Sequence, residues 1–310
     1  MNKFLKEYSL QMSVVVTALV FVGAWIYTAG LKNRMEQETN TVSSQNKTSM
    51  SELEEKVLPS DGVILPIVWG NLGTKLISTG IIDENKFKAI YEQRGIFTDP
   101  LRQSPSEASE YKNLLLGENN GQLKITNENA GYILNLFWAL GLANKNLILE
   151  NGPMMDKQYG GAGNFASTGG WTLAKGNTMD HYSQHALITL TSEQQALVEK
   201  ISKGVYRPCC GNSTYFPDCN HGMAMLALLE LMASQNVSEQ DMWKTALIVN
   251  SYWFPDTYLT IAIYMKEKGV DWKDVSPQEM LGADYSSAQG FRNIASQVVL
   301  PKQQQNECGI

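Results

Sequence analysis

Phe216-Pro217-Asp218-Cys219-Asn220-His221-Gly222-Met223-Ala224-Met225 leads into an apolar run that continues to Ser234. Phe packs, Pro presets the backbone for a first helical turn, and Asp can accept from the free N–H groups of that turn. The run therefore predicts a helix over 221–234. The same frame recurs further along. Asn212-Ser213-Thr214-Tyr215-Phe216-Pro217-Asp218 and Asn250-Ser251-Tyr252-Trp253-Phe254-Pro255-Asp256 share Asn, Ser, Phe, Pro and Asp at matching places. The second copy predicts a helix over 256–268, an arrangement similar to a helical-hairpin repeat. Where the first copy continues Cys219-Asn220-His221, the second continues Thr257-Tyr258-Leu259. On this reading a helix can start there without Cys or His, which frees those residues for another task.

Helix signals extend through most of the chain. Asp83 is placed to cap Glu84 to Arg94, with Phe87, Ile90 and Tyr91 on one face and Gly95 as the stop. Ser104-Pro105 opens a helix ending at Gly117, and Thr126 opens one carrying Ile133, Leu136, Phe137 and Leu140 to Gly141. Thr191 or Ser192 caps another that runs to Lys203. Strand signals are short, as at Leu147–Leu149. Residues 156–178, with Gly160-Gly161-Ala162-Gly163 and Ser167-Thr168-Gly169-Gly170, read as a long structural loop. They lack the strand and the Gly-Lys-Ser/Thr that a phosphate cradle needs.

The N-terminus has a different character. Tyr8 to Leu31 carries no charge, and Met12 to Ile26 is dense in Val, Leu, Phe and Ala. About 20 apolar residues span a bilayer, and Trp25 and Tyr27 sit where an interfacial belt would place them. Tyr27-Thr28-Ala29-Gly30 is a poor cleavage site, so residues 1–31 are expected to form an uncleaved transmembrane signal anchor. Residues 32–52 are a polar, flexible linker, and 53–310 a globular, mainly helical domain with a possible internal boundary near 151–178. The fold class is mainly α: a single transmembrane helix followed by a helical domain with long loops. A short N-terminal tail before a long domain points to a single-pass protein of the cell membrane with its C-terminal domain extracytoplasmic. The net charge of −6 and pI near 5.2 argue against nucleic acid, which needs a basic face.

All three histidines and three of the four cysteines lie between His181 and His221. Cys209, Cys210, Cys219 and His221 are the candidate metal ligands. Cys209 and Cys210 sit across a Gly/Asn/Ser/Pro turn from Cys219, and a helix N-terminus makes a thiolate more available. His181 and His185, four apart, and Met223 and Met225, one turn beyond Cys219 and His221, are secondary candidates. Soft ligands outside the cytoplasm suit copper or zinc, with thioethers favouring copper. An iron–sulfur cluster fits an oxidising compartment poorly, and the absence of Cys-x-x-Cys-His removes covalent haem. Two other readings use the same cysteines. Disulfides among Cys209, Cys210, Cys219 and Cys308 would staple a tethered binding or scaffold domain, and a low-pKa thiol would make a thiol–disulfide oxidoreductase. Over about thirty residues, Arg207-Pro208-Cys209-Cys210 between two helices resembles the Arg-Cys-Pro-x-x-Cys turn of the membrane-anchored thiol subunits of cytochrome c maturation. The order of Pro and Cys differs and the second spaced cysteine is missing, so no function is carried over.

Overall fold

The computed structural model describes residues 50–93 and 105–298. The expected transmembrane span, most of the linker, the Gly95 helix stop and Cys308 lie outside these residues. Among the described residues no helix is long and apolar enough to cross a membrane. The described residues from Leu53 onward form one compact, mainly helical unit.

Residues 50–57 are helical (α1), followed by β1 (Val63–Gly70), α2 (Leu72–Ser78), α3 (Glu84–Gln93), α4 (Pro105–Leu116) and β2 (Asn120–Ile125). Then come α5 (Ala130–Ala143), α6 (Leu147–Asn151), a long stretch of turns, α7 (Ser192–Gly204) and α8 (Asn220–Ser234). α9 (Glu239–Trp253), α10 (Pro255–Glu267) and three short helices, α11 (Pro277–Met280), α12 (Ala283–Ser286) and α13 (Ala288–Ala295), complete the order.

α8 is the central helix. Every residue from Gly222 to Ala233 is buried, the mark of a helix surrounded on all sides. Asn236, at φ 59°, ends it: Val237 N–H donates to Met232 O and Asn236 N–H to Ala233 O, both at 3.0 Å, closing a Schellman turn. α5 crosses α8 so closely that a Cβ at Gly141 would meet the Met223 carbonyl oxygen. The glycine expected to end α5 is instead inside it, and the helix runs on to Ala143.

β1 and β2 pair antiparallel, a sheet that the sequence reading did not anticipate. Leu65, Ile67 and Trp69 point inward while Ile64 and Val68 face solvent. Pro66, without an N–H, sits where the register breaks between Ile64 and Val68. The expected strand at Leu147–Leu149 is a helical turn, α6, because the Asn146 side chain accepts from Ile148 N–H and caps it. The 156–178 stretch ties distant parts of the domain together. Asp83 N–H donates to Leu173 O, Trp171 Nε1 to Ile81 O, and Ser167 N–H to Asp218 O.

Glu230, on α8, is fully buried. Asn144 Nδ2 donates to one carboxyl oxygen at 3.0 Å and Asn146 Nδ2 to the other. Burial pushes this carboxyl up to about 8, more than the two amides pull it down. The unfolded chain releases the same proton near 4.3, as an ordinary glutamate does. Stability from neutral Glu230 is therefore full below about pH 4.3 and is lost as pH rises through about 8. Thermal melts should show the wild-type Tm falling more steeply between about pH 5 and pH 8 than that of Glu230→Gln. Equal slopes would mean that Glu230 ionises alike in both states.

Candidate metal centre

The segment between α7 and α8 is a closed turn. Tyr206 pairs with Ser213 in an antiparallel bridge, Thr214 N–H donates to Val205 O at 2.8 Å, and Tyr215 N–H to Ser202 O at 3.0 Å. Tyr206 N–H reaches Leu281 O, and Cys210 O accepts from Ala288 N–H at 2.9 Å, so α13 holds the turn from the far side. This framework brings Cys209 and Cys210 back to the start of α8.

Cys219 is the N-cap of α8; its Sγ accepts from Gly222 N–H at 3.5 Å. Asp218, expected to cap, has a different partner. One of its oxygens pairs with Arg207 Nη2, and the other accepts from Asn212 Nδ2 at 2.8 Å. The two copies of the Asn-Ser-x-x-Phe-Pro-Asp frame thus fold differently. In the first, Pro217 and Asp218 precede the cap. In the second, Asn250 to Trp253 finish α9, and Pro255 is the first residue of α10. Cys219 and Thr257 are therefore not structural equivalents, and the comparison between them does not free Cys219 from a role in starting the helix. The copies meet nonetheless: the His221 ring lies 4.3 Å from Phe254 and 6.0 Å from Trp253, centroid to centroid.

Arg207 organises the site. It is 1% exposed, and its guanidinium donates to Cys219 Sγ (3.0 Å), Asn212 O (3.1 Å), Phe216 O (3.0 Å) and the Asp218 carboxylate. It can lie across the first turn of α8 only because residue 222 is glycine. A Cβ there would stand 2.5 Å from Nη2 and 2.8 Å from Nε. Gly222→Ala should force the guanidinium aside and cost about 1–3 kcal/mol, read as a lower Tm together with slower alkylation of Cys219. Unchanged alkylation would show that the cation has no hold on that thiol.

Around Cys219, two sets of ligand atoms each lie within 4.8 Å of one another: Cys209, Cys219 and His221, and Cys210, Asp218 and Cys219. Cys209 Sγ is 3.5 Å from Cys219 Sγ, and no disulfide joins any of the three described cysteines. Cys209 is exposed; Cys210, Cys219 and His221 are half-buried. Cys219 is held well below the ordinary thiol range, first by hydrogen bonds from the Cys209 and Cys210 thiols, then by His221 and the Arg207 charge. Cys209 is pushed up, by its hydrogen bonds to Cys210 and then to Cys219. The arrangement thus favours ionisation at Cys219 over Cys209.

The secondary candidates sit elsewhere. His181 and His185 stack at 5.3 Å although their segment is a turn rather than a helix, and they do not join the cysteine groupings. His181 Nε2 donates to Lys175 O at 3.0 Å, and His181 Nδ1 shares a hydrogen bond with His185 Nε2 at 3.1 Å. Both nitrogens of His181 are thereby used. Burial, then His181, lowers the His185 pKa. Met223 and Met225 are 0% and 1% exposed in the buried run of α8.

The sequence reading missed Arg207, Asp218 and Gly222 as parts of the site. A buried arginine needs an acid and carbonyl oxygens close by, and Asp218 followed four residues later by a glycine was the available signal. Comparison with protein-family models, with curated proteins and with solved structures gives no match to this chain.

Proposed function

We propose that the domain binds a transition metal, copper or zinc, through Cys209, Cys219 and His221. The carrying observation is that these three ligand atoms already lie within 4.8 Å of one another. Thiolates on one tetrahedral ion with bonds of about 2.3 Å stand about 3.8 Å apart, close to the 3.5 Å between Cys209 and Cys219. The alternative set, Cys210, Asp218 and Cys219, includes a carboxylate that is already paired with the Arg207 guanidinium. Buried polar atoms add support. Among the described residues, those without a hydrogen-bond partner are Ser167 Oγ, Thr214 Oγ1, His221 Nδ1 and Trp253 Nε1. Of these, His221 Nδ1 belongs to a ligand residue and is the one whose lone pair or N–H an occupant of the site would engage.

Two sulfurs and one imidazole leave a fourth position open beside exposed Cys209, as in metal sites that exchange a ligand or bind a substrate. The role is metal handling or metal-dependent redox chemistry. Thiol–disulfide exchange is the weaker reading. There the attacking sulfur should be the accessible one, and here the Arg207-paired sulfur is the shielded one. In the cell, residues 1–31 anchor the domain to the membrane on its extracytoplasmic side. The 24-residue uncharged run supports that reading.

Equilibrium dialysis of the full chain against zinc or copper(I), with a parallel thiol count, tests the proposal. About one equivalent of metal per chain, displaced as protons are added, is the expected result. No metal together with no free thiols in the isolated protein would leave the disulfide-stapled scaffold as the account.

A further inference from the structure

We infer that Cys209 and Cys219 are a redox gate on this metal site: as thiols they ligate, and as a disulfide they close it. The inference rests on the metal-binding reading. Its geometry is the 3.5 Å separation of the two sulfurs, which must close to about 2.05 Å for a bond. Cys209 is exposed and lies in the turn, so it can make the approach. Cys219 is fixed at the helix start by Arg207 Nε at 3.0 Å and Gly222 N–H at 3.5 Å.

Cys210 is not an equivalent partner. Its Sγ also lies within 4.8 Å of Cys219 Sγ, but its carbonyl is tied to Ala288 N–H and its thiol contacts Asn212 O at 3.9 Å and Asp218 Oδ1 at 3.8 Å. A bond between the adjacent Cys209 and Cys210 would also be strained. The structure thus favours one pairing out of those three thiols.

The oxidant is a small hydroperoxide, which can reach a half-buried sulfur where a protein disulfide cannot. Cys219 sulfur attacks the terminal peroxide oxygen, the O–O bond breaks, and the leaving oxygen departs with a proton as water or alcohol. Cys219 is then a sulfenic acid. Cys209 sulfur attacks Cys219 Sγ, the S–O bond breaks, and the hydroxyl leaves with the Cys209 proton as water. Two thiols have given two electrons to one peroxide. Both sulfur ligands are consumed, and His221 alone cannot retain the ion.

The test uses the full chain, reduced and metal-free, treated with one equivalent of hydrogen peroxide and mapped by mass spectrometry of a non-reducing digest. The expected product is a Cys209–Cys219 peptide, formed equally in Cys210→Ser, with zinc affinity reduced by about a hundredfold or more and restored by dithiothreitol. A bond to Cys210 or Cys308 instead, or no bond at all, overturns the inference. So does a mapped Cys209–Cys219 bond that leaves zinc uptake intact, which removes the gate while the metal site stands. Failure of the reduced protein to take up zinc removes the site and the gate together.

Discussion

Cys219→Ser is expected to weaken metal binding by about a hundredfold or more while leaving the fold intact. Cys219 is the sulfur common to both sets of potential ligands, so no substitute set remains once it is gone. A serine hydroxyl is not ionised near neutral pH and cannot supply the thiolate bond. When about 10–16 kcal/mol of apparent zinc affinity is shared among four ligands, one ligand is worth roughly 3 kcal/mol, a hundredfold or more in Kd. The same residue caps α8, and serine is among the best N-cap residues, so Gly222 N–H keeps an acceptor. Arg207 Nε also keeps an oxygen to donate to. The stability of the metal-free protein should therefore change by no more than about 1 kcal/mol, whereas dialysis should find the metal Kd raised by about a hundredfold or more. A variant that melts far lower without metal would mark Cys219 as a structural residue, and one that binds metal as before would remove it from the site.

Arg207→Met is expected to do the reverse, damaging the fold more than any substitution of a ligand. The guanidinium is buried and serves four acceptors: one sulfur, two backbone carbonyls and one carboxylate. Met fills most of the volume and answers none of them. Removing one partner of a buried ion pair leaves the other charge uncompensated, at about 3–5 kcal/mol. In a domain of this size that corresponds to a Tm lower by roughly 6–20 °C. Arg207→Lys should recover part of the loss, because it restores the charge without the planar fork that reaches several acceptors at once. A Tm within a degree or two of wild type for Arg207→Met would contradict the central position given to this residue.

Much of the helical framework was legible because it depends on local signals. Thr191 and Gln194 form a full capping box at the start of α7, as the Thr-x-x-Gln spacing implies, and the run after Cys219 is the central helix. Gly141 and β1 were misread where tertiary context overrode local signals, whereas the strand expected at Leu147–Leu149 failed on a local one, the Asn146 cap. Gly141 reads as a helix stop, but its missing side chain serves the close crossing of α5 and α8. β1 was hidden because Pro66 breaks the pattern of a regular strand and is tolerated only at the register irregularity. α9 was not among the expected helices; its last residues, Asn250 to Trp253, coincide with the start of the repeated Asn-Ser-x-x-Phe-Pro-Asp frame, which pointed only to the helix after it.

The site was legible as composition and not as geometry. Crowding of Cys and His into one window marked the region, and spacing alone could not say which ligands meet. His181 and His185 do contact each other, through turns closed by backbone hydrogen bonds that no periodicity reveals. Arg207 was invisible as a site residue because an arginine is ordinarily exposed, and its burial depends on a glycine fifteen residues away that leaves room for it.

X-ray absorption at the metal edge of the zinc-loaded full chain tests the central claim most directly. The account predicts two sulfur neighbours at about 2.3 Å, one imidazole nitrogen at about 2.0–2.1 Å and one further light atom, with one sulfur lost in Cys209→Ser and the imidazole signature lost in His221→Ala. A shell of nitrogen and oxygen alone, or a three-sulfur shell that persists in His221→Ala, would contradict it.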